Sequence, residues 1–228
     1  MFKLTGREVV KFLLPAAVAL SLVACGGGTQ SGGHGGAEPP GASRVKRGVT
    51  PEPDAEAVVL EVESGGFSYG RIVIELYPNV APKMVERFKR LVREGFYDGT
   101  AFHRVNARAG VVQGGDPNSK DEDPSNDGEG ESPYEDVPAE FSDIPFDRGV
   151  VGAARTQDPD SANSQFYITL RRVPMWDAQY TVFGKVVEGL NNADAIAGAP
   201  TRPAPYNENP AEKIVIKRAT LQPRANFR

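Results

Sequence analysis

From Ala55 onward the chain is a succession of short β-branched and aromatic runs divided by glycine and proline, and only one segment keeps a strong helical spacing. The runs AVVLEVE and GRIVIELY flank Ser64-Gly65-Gly66, as a hairpin requires, and AFHRV, VVQGG, GVVGAA, QFYITL, YTVFGKVV and EKIVIKRATL follow. In APKMVERFKRLVREG, Met84, Phe88, Leu91 and Val92 recur at i, i+4, i+7 and i+8, with Pro82 near the start and Gly95 just past the end, which predicts a helix. A second, weaker helix is expected from Leu190 to Ala197. Many short strands with few helices to cover their edges predict a mainly β fold, a closed antiparallel barrel with the helices over its ends.

The first part of the chain reads differently. Lys3, Arg7 and Lys11 precede an apolar run from Phe12 to Ala24, short for a membrane span but of the length of a secretory apolar segment. The run closes in Leu22-Val23-Ala24-Cys25, which resembles the lipobox of bacterial lipoproteins, and this implies lipidation of Cys25 as the mature N-terminus. Cys25 is the only cysteine, so no internal disulfide competes for it. Residues 25–54 are rich in Gly and Pro and poor in large apolar groups, which predicts a flexible tether. The expected organisation is therefore a signal peptide over 1–24, a tether over 25–54, a folded domain over 55–222 and a short tail over 223–228. The expected location is the cell envelope, with the exported protein lipid-anchored and facing the periplasm or the exterior. A formal net charge of −4 offers no basic footprint for nucleic acid.

The stretch FHRVNARAGVVQGGD, residues 102–116, carries Arg104 and Gln113 without a nucleophile beside them. Strand alternation places Val111 and Gln113 on one face and Val112 on the other. In QFYIT it puts Gln165, Tyr167 and Thr169 on one face and Phe166 and Ile168 on the other. Val112, Phe166 and Ile168 are expected to fill the barrel, whereas Val111, Gln113 and Tyr167 line a groove on its outside. His103 alternates with Arg104 and is expected to face away in a structural role. His103, Asp116 and Ser164 follow the order of one serine-protease class, but no G-x-S-x-G or similar nucleophile setting accompanies them. Asp121, Asp123 and Asp127 loosely echo a calcium loop, yet the glycine comes late and the final glutamate is missing, so a solvated acidic loop is expected.

The segments FHRV, VVQGGDP, ARTQDPDSANSQFYITL and YTVFGKVVEG, in this order within Val58 to Thr220, resemble the successive signatures of the cyclophilins, the peptidyl-prolyl cis-trans isomerases, in their bacterial form. The resemblance implies an eight-stranded antiparallel barrel capped by two helices. It also implies Xaa-Pro bond rotation without a cofactor or metal, on proline-containing segments of exported proteins, by a monomer. It makes Arg104 and Gln113 catalytic and Val111, Ala154, Arg155, Tyr167, Met175, Trp176 and Tyr180 substrate-contacting. There are departures. The connection NARAG is one residue longer than usual, and Gly110 stands where a pocket phenylalanine is expected, which would leave one wall of the proline seat missing. Tyr167 replaces a phenylalanine, and Met175 and Tyr180 replace the tryptophan and histidine of the animal enzymes, which implies weak cyclosporin binding. The rival reading is a low-turnover proline-peptide-binding module on the same groove.

Overall fold

Residues 44–227 are described by the structure, a computed structural model of the chain; the expected signal peptide, Cys25 and the first part of the tether lie outside the described residues. Eight strands and two helices follow one another as β1 (Glu56–Ser64), β2 (Phe67–Leu76), α1 (Pro82–Arg93), β3 (Arg104–Asn106), β4 (Val111–Gly114), β5 (Val150–Ala153), β6 (Phe166–Thr169), β7 (Val182–Glu188), α2 (Leu190–Ala197) and β8 (Val215–Pro223). They form one antiparallel sheet in the order β3-β4-β6-β5-β7-β2-β1-β8.

The expected barrel does not close. The sheet is an open half-barrel whose edge strands, β3 and β8, share no ladder. The edges meet through one isolated bridge, Ala101 with Val215, flanked by backbone bonds from Phe102 to the Ile214 carbonyl (2.9 Å) and from Ile216 to the Thr100 carbonyl (2.8 Å). Strand count suggested closure, but β3 has only three residues. They begin after the chain has already passed the end of β8, so the ladder has nothing to continue on.

The interior follows from alternation. Val105, Val112, Ile168 and Val151 stand opposite one another across β3, β4, β6 and β5 and are all buried. Helix α1 lays Met84, Val85, Phe88, Leu91 and Val92 into this core, and the Phe88 ring lies 5.1 Å from Tyr97, 5.3 Å from Phe166 and 5.1 Å from Phe183. The first turn of α1 lacks a local side-chain cap. Its free backbone donors are met by the buried carboxylate of Glu140, which accepts from the Lys83 and Met84 N–H groups at 3.2 and 3.0 Å.

Both ends of the folded body extend past their expected bounds. Residues 44–54, read from composition as tether, run along the domain: Lys46 bridges Ser142, its ammonium donates to the Val80 carbonyl at 2.7 Å, and Asn79 donates to the Thr50 carbonyl at 2.9 Å. At the other end Phe227 packs on Ala57, Val59 and Val73, and the Arg224 N–H donates to the Ala55 carbonyl at 2.8 Å. Backbone hydrogen bonds hold both segments, a contribution that composition cannot report.

Candidate active site

On the outer face of the sheet the register sets Arg104 opposite Gln113, Gln113 opposite Tyr167 and Tyr167 opposite Gly152, one row across β3, β4, β6 and β5. Gly152 makes the row possible, because a Cβ built there would stand 2.5 Å from the Tyr167 ring, which lies across β5. Val111, one row along, is buried with Tyr167 in a second apolar cluster that includes Phe146, Val150, Val173 and Val182 and is edged by Ala109, Ala154, Trp176 and Tyr180. The aromatic rings contact one another edge to face: Tyr167 to Trp176 at 4.9 Å and Tyr167 to Tyr180 at 5.9 Å. Arg155 sits over the Tyr180 ring at 4.5 Å and donates to the Gln179 carbonyl.

Of the residues expected in the groove, Arg104, Gln113, Val111, Ala154, Arg155, Tyr167, Trp176 and Tyr180 are thus brought into one neighbourhood. Met175 is not: it shares the short 3-10 turn of Trp176, but it is 78% exposed and stands outside the cluster. Val111 and Tyr167 are so nearly buried, at 1% and 4%, that they form the floor of the groove rather than open walls. The Tyr167 hydroxyl meets no protein partner, and burial holds it protonated, far above the usual phenol range.

The expected gap at Gly110 has a different cause. The longer connection is an α-turn in which the Gly110 N–H donates to the Asn106 carbonyl (2.8 Å) and the Ala109 N–H to the Asn106 side chain (2.7 Å). Gly110 has φ +73°, and the aliphatic stem of Arg171 lies over it while Arg171 Nε donates to the Ala109 carbonyl at 3.1 Å. Turn geometry calls for the glycine, and Arg171 covers the position.

The Arg104 guanidinium is fastened on two sides. Its Nε donates to Glu208 Oε2 at 2.6 Å, and its Nη1 reaches Gln113 Oε1 at 3.4 Å. The Gln113 amide donates in turn to Gln165, which donates to the Gly130 carbonyl, each at 3.0 Å. The Arg104 side chain remains 40% exposed, and Nη2 makes no bond among the described residues. A cleft of about 380 Å³ adjoins Gln113, lined by Glu129, Glu131, Ala154, Arg155 and Gln165 among others.

Sequence reasoning did not find Glu208, Gln165 or Phe146 as site residues. Alternation puts Gln165 on the face of Tyr167, without marking it as a site residue. Phe146 lies in coil, and Glu208 is 104 positions from its partner, so neither leaves a local signal.

His103 is buried with both ring nitrogens lacking a protein partner, and burial, partly countered by Asp116, pushes it down to about 4. Ser164 Oγ is likewise unpartnered. Asp116 spends its carboxylate on the Asn118 and Gly128 backbone, so no Ser-His-Asp relay forms. Among the described residues no group of three or more His, Cys, Asp or Glu side chains converges as a metal site. The acidic loop instead folds on itself, with Asp121 accepting from the Asp123 N–H at 2.8 Å and Asp123 from the Ser125 N–H at 2.9 Å.

A β half-barrel that presents a braced guanidinium and an amide beside an aromatic floor holds the elements of a peptide site built on donors and apolar contact. Comparison with known proteins gives that class its family. The profile described as cyclophilin type peptidyl-prolyl cis-trans isomerase/CLD matches residues 58–221. A probable peptidyl-prolyl cis-trans isomerase of Brucella suis biovar 1 is 45% identical over 160 residues, covering 68% of this chain and 77% of that one. A peptidyl-prolyl cis-trans isomerase of Acinetobacter baylyi is 36% identical over 155 residues, covering 64% and 78%. Among solved structures, the cyclophilin type isomerase of Cryptosporidium parvum, crystallised in the presence of the dipeptide Ala-Pro, superposes with a TM-score of 0.62 at 26% identity, covering 73% of this chain and 98% of that one. The chain belongs to the cyclophilin-type peptidyl-prolyl cis-trans isomerases, and its activity is the interconversion of cis and trans Xaa-Pro peptide bonds.

Proposed function

We propose that Arg104 is the catalytic group of this isomerase and that Gln113 holds it and the substrate. The observation that carries this is the pairing of the two side chains across β3 and β4, with Nε and Nη1 of the guanidinium engaged and Nη2 left without a bond among the described residues. Amide resonance sets a barrier of about 18–20 kcal/mol to rotation of the peptide bond. At the twisted transition state the prolyl nitrogen leaves conjugation, becomes pyramidal and regains a lone pair. A fixed cationic donor aimed at that nitrogen stabilises the twisted state more than either planar one, and only such differential stabilisation raises the rate. Guanidinium suits the task because it stays charged at any working pH and its donors are rigidly arranged.

Val111, Tyr167, Trp176 and Tyr180 offer the proline ring its apolar seat, with Ala154 and Arg155 along the peptide that follows. A solved relative with Ala-Pro supports a proline-containing peptide as the ligand. The test is a protease-coupled isomerisation assay on an Ala-Ala-Pro-Phe peptide: the wild-type chain should accelerate the slow cis phase, and Gln113→Ala should lower kcat/KM about tenfold or more. Wild-type rates from Gln113→Ala would remove Gln113 from the machinery.

The substrates are proline-containing segments of exported proteins, and the enzyme acts as a monomer tethered through lipidated Cys25, of bacterial lipoprotein type, in the cell envelope. The apolar run closing in Leu22-Val23-Ala24-Cys25 supports this reading. Labelling with a radioactive fatty acid should mark the wild-type chain and not Cys25→Ala; equal incorporation would overturn it.

A further inference from the structure

We infer that Glu208 is a positioning residue for catalysis, the group that aims the Arg104 guanidinium. The inference rests on the reading of Arg104 as the catalytic donor. An arginine side chain that is 40% exposed has several freely rotating bonds to fix before its donors hold one direction. Gln113 alone cannot supply that restraint, because its oxygen lies 3.4 Å from Nη1. The charge-assisted bond from Nε to Glu208 at 2.6 Å is much shorter and grips the guanidinium at the edge nearest its stem. With Nε and Nη1 both engaged, the guanidinium plane is fixed, and Nη2 is left for the substrate.

Glu208 is itself fixed to the strand it serves. Its second carboxylate oxygen accepts from the Asn106 side chain, and its carbonyl accepts the Val105 N–H at 2.7 Å. The next residue, Asn209, donates to the His103 carbonyl at 2.7 Å and to Asp127 at 2.9 Å. Every residue from His103 to Asn106 is therefore held by position 208 or 209. A half-exposed ion pair contributes little to stability. Four hydrogen bonds, one to each of the four residues around the catalytic donor, have the form of a clamp, and a misplacement of about 1 Å in such a group lowers rates roughly a hundredfold.

The test is a double-mutant cycle on the full-length chain, with kcat and KM from magnetisation-exchange NMR of a peptide containing one Ala-Pro bond and thermal melts run in parallel. Glu208→Ala should lower kcat about 10- to 100-fold with KM changed less than about twofold. Glu208→Gln, whose amide oxygen still accepts from Nε, should recover most of kcat, and Glu208→Met, of similar length but without the acceptor, carries the cycle if Glu208→Ala fails to fold. In an Arg104→Ala background the Glu208 change should cost nothing further. Wild-type kcat in Glu208→Ala, a loss confined to KM, or the same fold-loss with and without Arg104 would overturn the inference while leaving the isomerase reading intact. No acceleration by the wild-type chain would overturn both.

Discussion

Gly110→Ala discriminates between a turn glycine and a missing pocket wall. A Cβ at φ +73° costs about 1–2 kcal/mol for a non-glycine residue. It would also stand 2.8 Å from Arg171 Cδ and closer still to Cγ, so the Arg171 side chain must swing away and give up its bond to the Ala109 carbonyl, roughly 0.5–1 kcal/mol more. Reduced freedom of the unfolded chain returns at most about 1 kcal/mol. The net loss is about 1–2 kcal/mol, which for a domain of this size lowers Tm by roughly 2–8 °C. Gly110→Asn should lose less, since asparagine tolerates the left-handed region. The assay is differential scanning calorimetry alongside kcat/KM on an Ala-Pro peptide, with Gly110→Phe as the third variant. If position 110 were an empty pocket wall, phenylalanine there would raise kcat/KM with Tm unchanged; that result would refute the account.

Other perturbations follow from single contacts. Tyr167→Phe removes a buried hydroxyl with no protein partner while keeping the ring, so chemical unfolding should show a gain of about 1–2 kcal/mol, and a loss would mean the hydroxyl is satisfied in solution. Glu140→Ala frees the first donors of α1 and should cost about 1–2 kcal/mol, read as an unchanged denaturant slope with a lower midpoint. His103 is depressed to about 4 in the fold and titrates near 6.5 when unfolded, so the unfolded chain binds the extra proton between those values. Its contribution is fully present above pH 6.5 and is lost as pH falls toward 4, on the order of 3 kcal/mol in all. His103→Gln should flatten that part of the stability profile, and an unchanged slope would show that other groups cause it.

Much of the site was legible because period two is a strict rule in a sheet, where successive side chains take opposite faces. VVQ and QFYIT assigned Val112, Phe166 and Ile168 inward and Val111, Gln113 and Tyr167 outward, and the register agrees residue by residue. The helix from Pro82 to Arg93 was equally plain in its spacing. What escaped depends on long-range pairing. Closure could not be read from strand count, because it turns on whether the three residues of β3 reach β8. Glu140 caps α1 from 56 positions away, and Glu208 grips Arg104 from 104 away, each through one side chain in a segment without periodicity. Residues 44–54 looked like tether because they bury little apolar surface, while backbone and lysine hydrogen bonds fasten them to the domain.

A single guanidinium, correctly aimed, lowers the rotation barrier without being needed to hold the peptide. Magnetisation-exchange NMR on one proline peptide reads binding and cis-trans exchange in the same sample. With Arg104→Ala the exchange rate at saturation should fall about 100- to 1,000-fold, the loss expected for one transition-state donor, while peptide affinity stays within about threefold. Exchange at the wild-type rate in Arg104→Ala, or a loss accounted for entirely by weaker binding, would contradict the account.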